Sequence, residues 1–204
     1  MIHPHTAVTY INDDKGYGLI ATRPIPRGTI TWTLDRLDRV ISQAEMARQD
    51  PRYHEILMKY SFRNSRGEYI FCWDNGRYIN HSFNANCCLT PYNFEIAIRD
   101  IDRGEELTDD YGYLNIIEPF AASPEGGERT VVYPDDLLKY AEIWDRQLAA
   151  AFPEVPRRKQ PLAPFLEPEI VRTLRDIAEG RIALPSIRTC YYDGNASQTK
   201  DSPR

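Results

Sequence analysis

Three short stretches of this chain carry residue types that could do chemistry: Lys15-Gly16-Tyr17-Gly18, Arg77-Tyr78-Ile79-Asn80-His81-Ser82, and Gly104-Glu105-Glu106-Leu107-Thr108-Asp109-Asp110-Tyr111. In the first, two glycines flank one bulky residue, so backbone can approach a ligand closely. A plain turn between strands would use the same pattern. It is not a dinucleotide fingerprint, because a third glycine is missing and Leu19 to Ala21 continues as strand. In the second, the Asn80 amide offers both a donor and an acceptor, which suits the polar edge of a ligand. His81 reads either as a hydrogen-bonded structural residue or as a ligand contact. A metal would need further ligands at suitable spacing. His3 and His5 stand in the N-terminal segment, and His54 falls on an expected helix. In the third stretch, Glu105, Glu106, Asp109 and Asp110 lack the alternating spacing of a calcium loop. They read as a solvated acidic lip facing a basic peptide. Tyr111, taken alone, is a packed aromatic with a hydrogen-bonded tip.

Together and in this order, the three stretches resemble the signature of the SET-domain protein lysine methyltransferases, over about residues 5 to 115. The resemblance implies a transferase that moves a methyl group from S-adenosylmethionine to the side-chain amine of a lysine in a protein substrate. It implies donor contacts from Lys15, Gly16, Tyr17, Gly18, Asn80, His81 and Tyr111, with Tyr111 the catalytic residue. A lysine amine, with an ordinary pKa of about 10.4, must lose its proton before it attacks a methyl sulfonium. An apolar, aromatic-lined channel disfavours the ammonium, and a phenol tip can hold the amine and aim its lone pair. A phenol with a pKa near 10 is a poor general base at neutral pH. Tyr60, Tyr113, Phe120 and Tyr133 are the candidates for the channel walls.

The chain departs from the family pattern in two places. Phe83 and Ala85 stand where the family often has Cys and Pro. In zinc-bearing members that Cys joins a cluster after the core; here only Cys190 follows, which implies no zinc and no other metal. Two positions before the catalytic Tyr, some members carry a Phe or Tyr that helps set the number of methyls. Asp109 stands there, so that rule cannot be applied. The rival reading is a degenerate SET module that binds a peptide or partner protein without catalysis. A β-rich interaction domain carrying the motifs by chance would bind no donor at all.

The elements that must hold these residues read as short strands. Ala7 to Ile11, Tyr17 to Ala21, Thr29 to Leu34, Glu68 to Trp73 and Phe94 to Arg99 are separated by turn signals. Ser42-Gln43-Ala44-Glu45 is a capping box opening a helix, and Pro51 begins another. The expected fold is mainly β, of small sheets with a helical insert at about 42 to 60 and a threaded-loop C-terminal part as the resemblance implies. Residues 1 to 120 form the expected catalytic domain. From 121 a flexible connection leads to a C-terminal helical segment, with helices from Pro134 to about Ala150 and from Glu169 to Glu179. Phe152 to Pro168 carries five prolines and cannot be one helix. The end from about Asn195 is polar and expected to be disordered.

Composition agrees with a folded domain: 204 residues, 42% hydrophobic and 27% charged. A formal net charge of −5 argues against general nucleic-acid binding and is compatible with a basic protein substrate. No apolar run is long enough to span a bilayer and no cleavable apolar leader is evident. Cys72, Cys87, Cys88 and Cys190 form no Cys-x-x-Cys pair and read as free thiols. That pattern suits a reducing compartment, so a cytoplasmic location is expected.

Overall fold

The computed structural model describes residues 1–194; the expected disordered end lies outside the described residues. In chain order the elements are β1 (Thr6–Asn12), β2 (Gly16–Ala21), β3 (Ile30–Thr33), β4 (Arg39–Ile41), α1 (Gln43–Ala47), α2 (Pro51–Tyr60), β5 (Ser61–Arg63), β6 (Tyr69–Phe71), β7 (Asn80–His81), β8 (Cys87–Leu89), β9 (Phe94–Ala97), β10 (Glu106–Asp109), β11 (Phe120–Ala121), β12 (Val131–Val132), α3 (Asp136–Ala151) and α4 (Pro168–Ala178). The strands make small sheets in the orders β1-β2-β10-β7, β3-β9-β8, β4-β6-β5 and β11-β12. The fold is mainly β, with a helical insert and a helical C-terminal part.

Local chemistry sets the elements that hold the motifs. The β1–β2 turn closes because Asn12 Oδ1 accepts from the backbone N–H of Asp14 (3.0 Å) and Lys15 (2.9 Å), and Gly16 takes a left-handed φ of 71°. The capping box at α1 forms only by half. Ser42 Oγ accepts from Glu45 N at 3.1 Å, but the Glu45 carboxylate turns outward to Arg39 at 2.7 Å. β7 runs parallel to β10, with Asn80 opposite Thr108 and His81 opposite Asp109. This pairing sets the Asn80-His81 segment beside the segment that leads to Tyr111. The sequence offers no strand signal over residues 75 to 82, since a two-residue strand is specified by its partner rather than by its own pattern. The same reason hides β11 and β12, which pair where a plain connection is expected.

The C-terminal helices share the apolar core of the strands. Leu137, Ala141, Trp144 and Leu148 repeat at helical spacing along α3 and are all buried. They pack in one cluster with Ile30, Phe94, Ile96 and Tyr113, joined by Leu174 and Ile177 of α4. Between α3 and α4 the proline-rich stretch breaks into short 3₁₀ turns at Phe152–Arg157 and Ala163–Phe165. Arg129 fastens this layer to the strands. It pairs with Asp110 and, at 2.9 Å, with Asp136, while its guanidinium lies 4.3 Å from the Tyr140 ring centroid and 4.7 Å from that of Phe83. No helix among the described residues is long and apolar enough to cross a membrane.

Candidate active site

Two features meet at Tyr111: a polar cluster on the β2–β7–β10 sheet and a cavity beneath the insert. In the cluster, Asn80 Nδ2 donates to the Tyr17 carbonyl (3.1 Å) and to Glu106 Oε1 (2.8 Å). Lys15 Nζ reaches the other Glu106 oxygen at 2.9 Å. A Cβ on Gly18 would stand 2.5 Å from Glu106 Oε1 and 2.7 Å from Asn80 Nδ2, so only glycine lets these groups meet over β2. Around Gly16 the space is open, with nothing within 4 Å of a built Cβ. Asn80 Oδ1 accepts no hydrogen bond among the described residues and is available to a ligand donor.

His81 connects this cluster to Tyr111. Its Nδ1 accepts from the Tyr111 backbone N–H at 3.2 Å, which leaves the ring proton on Nε2. Nε2 is buried without a partner. Burial lowers the His81 pKa, so the ring is neutral at pH 7. The Tyr111 hydroxyl donates to the Ile79 carbonyl at 2.6 Å. With its proton engaged, the phenol oxygen presents lone pairs and acts toward a ligand as an acceptor. Burial, then the charges of Asp109, Glu95 and Glu106, push the Tyr111 pKa above its ordinary value. It therefore stays a phenol and positions rather than abstracts. Phe120 lies with its ring centroid 5.5 Å from His81 and 6.1 Å from Tyr111.

The cavity is about 570 Å³, within the size range of small-ligand pockets. Tyr60 of the insert, Phe62 of β5, Trp32 of β3, Tyr111 and Phe120 line it. Glu95 and Asp109 line it too, with relative exposures of only 4% and 3%. Three buried polar atoms on its wall have no hydrogen-bond partner: Trp32 Nε1, Ser61 Oγ and Glu95 Oε2. Buried polar groups are almost always partnered, so three exceptions sit in the residues that line one cavity.

A family model for the SET domain matches residues 16–112. The chain carries a SET domain. The chain is 31% identical over 114 residues to "Histone-lysine N-methyltransferase, H3 lysine-36 specific" of Schizosaccharomyces pombe, covering 50% of this chain and 14% of that protein. It is 31% identical over 111 residues to the protein of the same description from Mycosarcoma maydis, covering 48% and 11%. It is 25% identical over 134 residues to "Histone-lysine N-methyltransferase ash1" of Drosophila melanogaster, covering 56% and 6%. The chain thus spans a small part of the length of these relatives.

The structure places the residues singled out from the SET signature as follows. Lys15, Tyr17, Gly18 and Asn80 share the polar cluster, and His81 and Tyr111 adjoin it. Tyr60 and Phe120 stand on the cavity wall with Tyr111. Tyr113 and Tyr133 do not. Tyr113 is fully buried; its hydroxyl donates to Asp109 Oδ1 (2.8 Å), with the Cys87 carbonyl 3.1 Å away, and its ring packs on Trp144. Tyr133 is 44% exposed at the start of α3, under Lys139. The expected acidic lip is also corrected. Asp109 and Asp110 are each 3% exposed, because β10 is a central strand and Arg129 covers the turn after it. Glu105 and Glu106 are engaged with Arg99 and Lys15.

Two residues, Glu95 and Arg129, escape a reading of the SET motifs. Glu95 sits between Phe94 and Ile96 in a strand buried on both faces, where a carboxylate is the one anomalous residue. That anomaly was its signal. Arg129 carries no signal beyond being charged, and Glu106, read as part of a solvated lip, instead binds Asn80 and Lys15. Among the described residues no group of three or more His, Cys, Asp or Glu is placed to hold a metal.

Proposed function

We propose that this SET domain transfers a methyl group from S-adenosylmethionine to the side-chain amine of a protein lysine. One observation carries the reading: Tyr111 contacts the Gly18–Asn80–Glu106 side through His81 and lines the cavity with its ring. One residue therefore faces both a polar ligand cluster and a pocket that suits an alkyl chain. The polar cluster suits the donor. The open space at Gly16, the Asn80 Oδ1 acceptor, the unpartnered His81 Nε2–H and the Glu106 carboxylate offer acceptors and donors together. When bound, the donor supplies a methyl group on a positively charged sulfur. The lysine side chain enters the cavity, its methylenes against Tyr60, Phe62 and Phe120. The Tyr111 oxygen accepts one N–H of the amine and fixes the direction of its lone pair, and orientation of this kind supplies much of the rate in a displacement. The names of the relatives support a histone-like, basic protein as substrate, which also suits the net charge of −5.

Calorimetric titration of the protein with S-adenosylmethionine and with its demethylated product tests the reading. Saturable binding that raises the melting temperature is expected, since a ligand that prefers the native state stabilises it. Absence of both heat and stabilisation would remove the methyltransferase reading. Donor binding with no methyl transfer to any protein would favour the degenerate module.

A further inference from the structure

We propose that Glu95 and Asp109 form an ammonium subsite at the inner end of the cavity, one that selects a cationic nitrogen bearing N–H bonds and takes its proton. The identity of that nitrogen as the reacting amine rests on the methyltransferase reading above. The subsite itself rests on the cavity.

Glu95 and Asp109 are among the least exposed residues on the cavity wall, next to Trp32 at 2%. Glu95 lies opposite Trp32 in the β3–β9 register. The two carboxyls lie close enough for each to shift the other's titration, and neither forms an ion pair among the described residues. Tyr113 donates to Asp109 Oδ1, which favours the carboxylate form at Asp109 and the protonated form at Glu95. Burial keeps both carboxyls above their ordinary pKa range. The pair thus carries about one negative charge, the complement of one ammonium. Glu95 Oε2 is the acceptor left without a partner. A turn of the Glu95 carboxyl toward the cavity would let a ligand N–H satisfy it. The cations on the same wall are already engaged. Arg63 donates to the carbonyls of Asn115 (2.7 Å) and Ile116 (2.9 Å). Arg77 lies over the rings of Tyr60 and Tyr78, and the exposed Lys59 over Tyr60.

The pair also resolves a chemical conflict. A carboxylate beside an ammonium favours the charged, non-nucleophilic form, but a carboxylate of raised basicity can take the proton. One N–H bond of the ammonium breaks and one O–H bond forms on Asp109. The pair passes from one negative charge to none, and the nitrogen becomes a neutral amine with a free lone pair beside Tyr111. Asp109 is near enough for its charge to act on the Tyr111 phenol. A quaternary ammonium has no N–H to offer Oε2 and no proton to give.

The test uses n-butylammonium and n-butyltrimethylammonium chloride as probes, titrated into the full chain by ligand-observed NMR at neutral pH. The wild type should bind n-butylammonium roughly 10-fold or more tightly than the quaternary probe, the worth of a charge-assisted hydrogen bond. Glu95→Gln mimics the protonated acid and should keep that preference. The double variant Glu95→Gln/Asp109→Asn should lose it while melting cooperatively. Equal binding of the two probes by the wild type, no saturable n-butylammonium binding, or an unchanged preference in the double variant would overturn the proposal. If the double variant does not fold, the wild-type ratio decides. Donor titration separates the two readings. A protein that methylates lysine without preferring n-butylammonium refutes the subsite alone. One that shows the preference but binds no donor refutes the methyltransferase reading alone.

Discussion

Replacing Asp109 with asparagine should make the protein more stable at neutral pH than at acid pH, relative to the wild type. Burial raises the Asp109 pKa from 3.8 to about 6. The folded state therefore holds this proton more tightly than the unfolded chain does. Between pH 3.8 and about 6 the wild type loses stability from this group as pH rises, and above about 6 the loss is complete. A difference of about two pKa units corresponds to about 3 kcal/mol. Asparagine keeps the shape and the contact from Tyr113, removes the titration, and relieves the upward push that Asp109 exerts on the Glu95 pKa, which acts in the same direction. The gap in melting temperature, variant minus wild type, should widen between pH 4 and pH 7.5 by roughly 6–12 °C, taking 2–4 °C per kcal/mol for a chain of this size. His3 has the opposite slope: burial, then the neighbouring His5, lower its pKa to about 4, so its contribution is lost as pH falls. His3 is present in both proteins, and its effect cancels in the difference. Scanning calorimetry at several pH values measures the gap directly. A gap that stays constant across this range would show that Asp109 carries no buried charge, and would remove the cost that the ammonium subsite implies.

Tyr111→Phe removes the bond to the Ile79 carbonyl; it should cost about 1 kcal/mol of stability, leave donor affinity within a few-fold, and lower turnover heavily, as steady-state kinetics would show. Asn80→Ala should weaken donor binding by roughly 10-fold, the worth of a hydrogen bond to a charged group, because Glu106 loses the donor that orients it; calorimetry measures this. Gly18→Ala forces a methyl group against Glu106 and Asn80 and should lower both donor affinity and melting temperature, whereas Gly16, with a left-handed φ but open space, should respond to alanine mainly through strain at its turn. Leu148→Ala on α3, at 0% exposure, should cost about 2–5 kcal/mol in chemical denaturation; a loss below about 1 kcal/mol would show that α3 does not share the core of the strands.

Much of the fold was legible because local chemistry agreed with the final structure. The β1–β2 turn is written in Asn12 to Gly16, α2 in Asp50-Pro51, and the buried stripe of α3 in the spacing of Leu137, Ala141, Trp144 and Leu148. What stayed hidden depends on partners distant in the chain. β7 exists because β10 lies beside it, and the β11–β12 hairpin has only two residues in each strand. The order of the three stretches was enough to indicate the SET domain. The walls of the cavity were half legible. Tyr60 and Phe120 are there, but Tyr113 is drawn into the core by Asp109, and no pattern of aromatics distinguishes a channel wall from packing. Asp109 stood out as a departure from the family pattern. Its partner Glu95 is 14 residues earlier and comes beside it only through the sheets.

Methyl transfer itself is tested most directly by incubating the purified protein with methyl-labelled S-adenosylmethionine and basic protein substrates, core histones among them, followed by mass spectrometry of the labelled protein. The expected result is a mass increase of one or more methyl groups on lysine side chains, absent in Tyr111→Phe. Donor binding without label on any lysine, or label that persists undiminished in Tyr111→Phe, would contradict the assignment of this chain as a lysine methyltransferase acting through Tyr111.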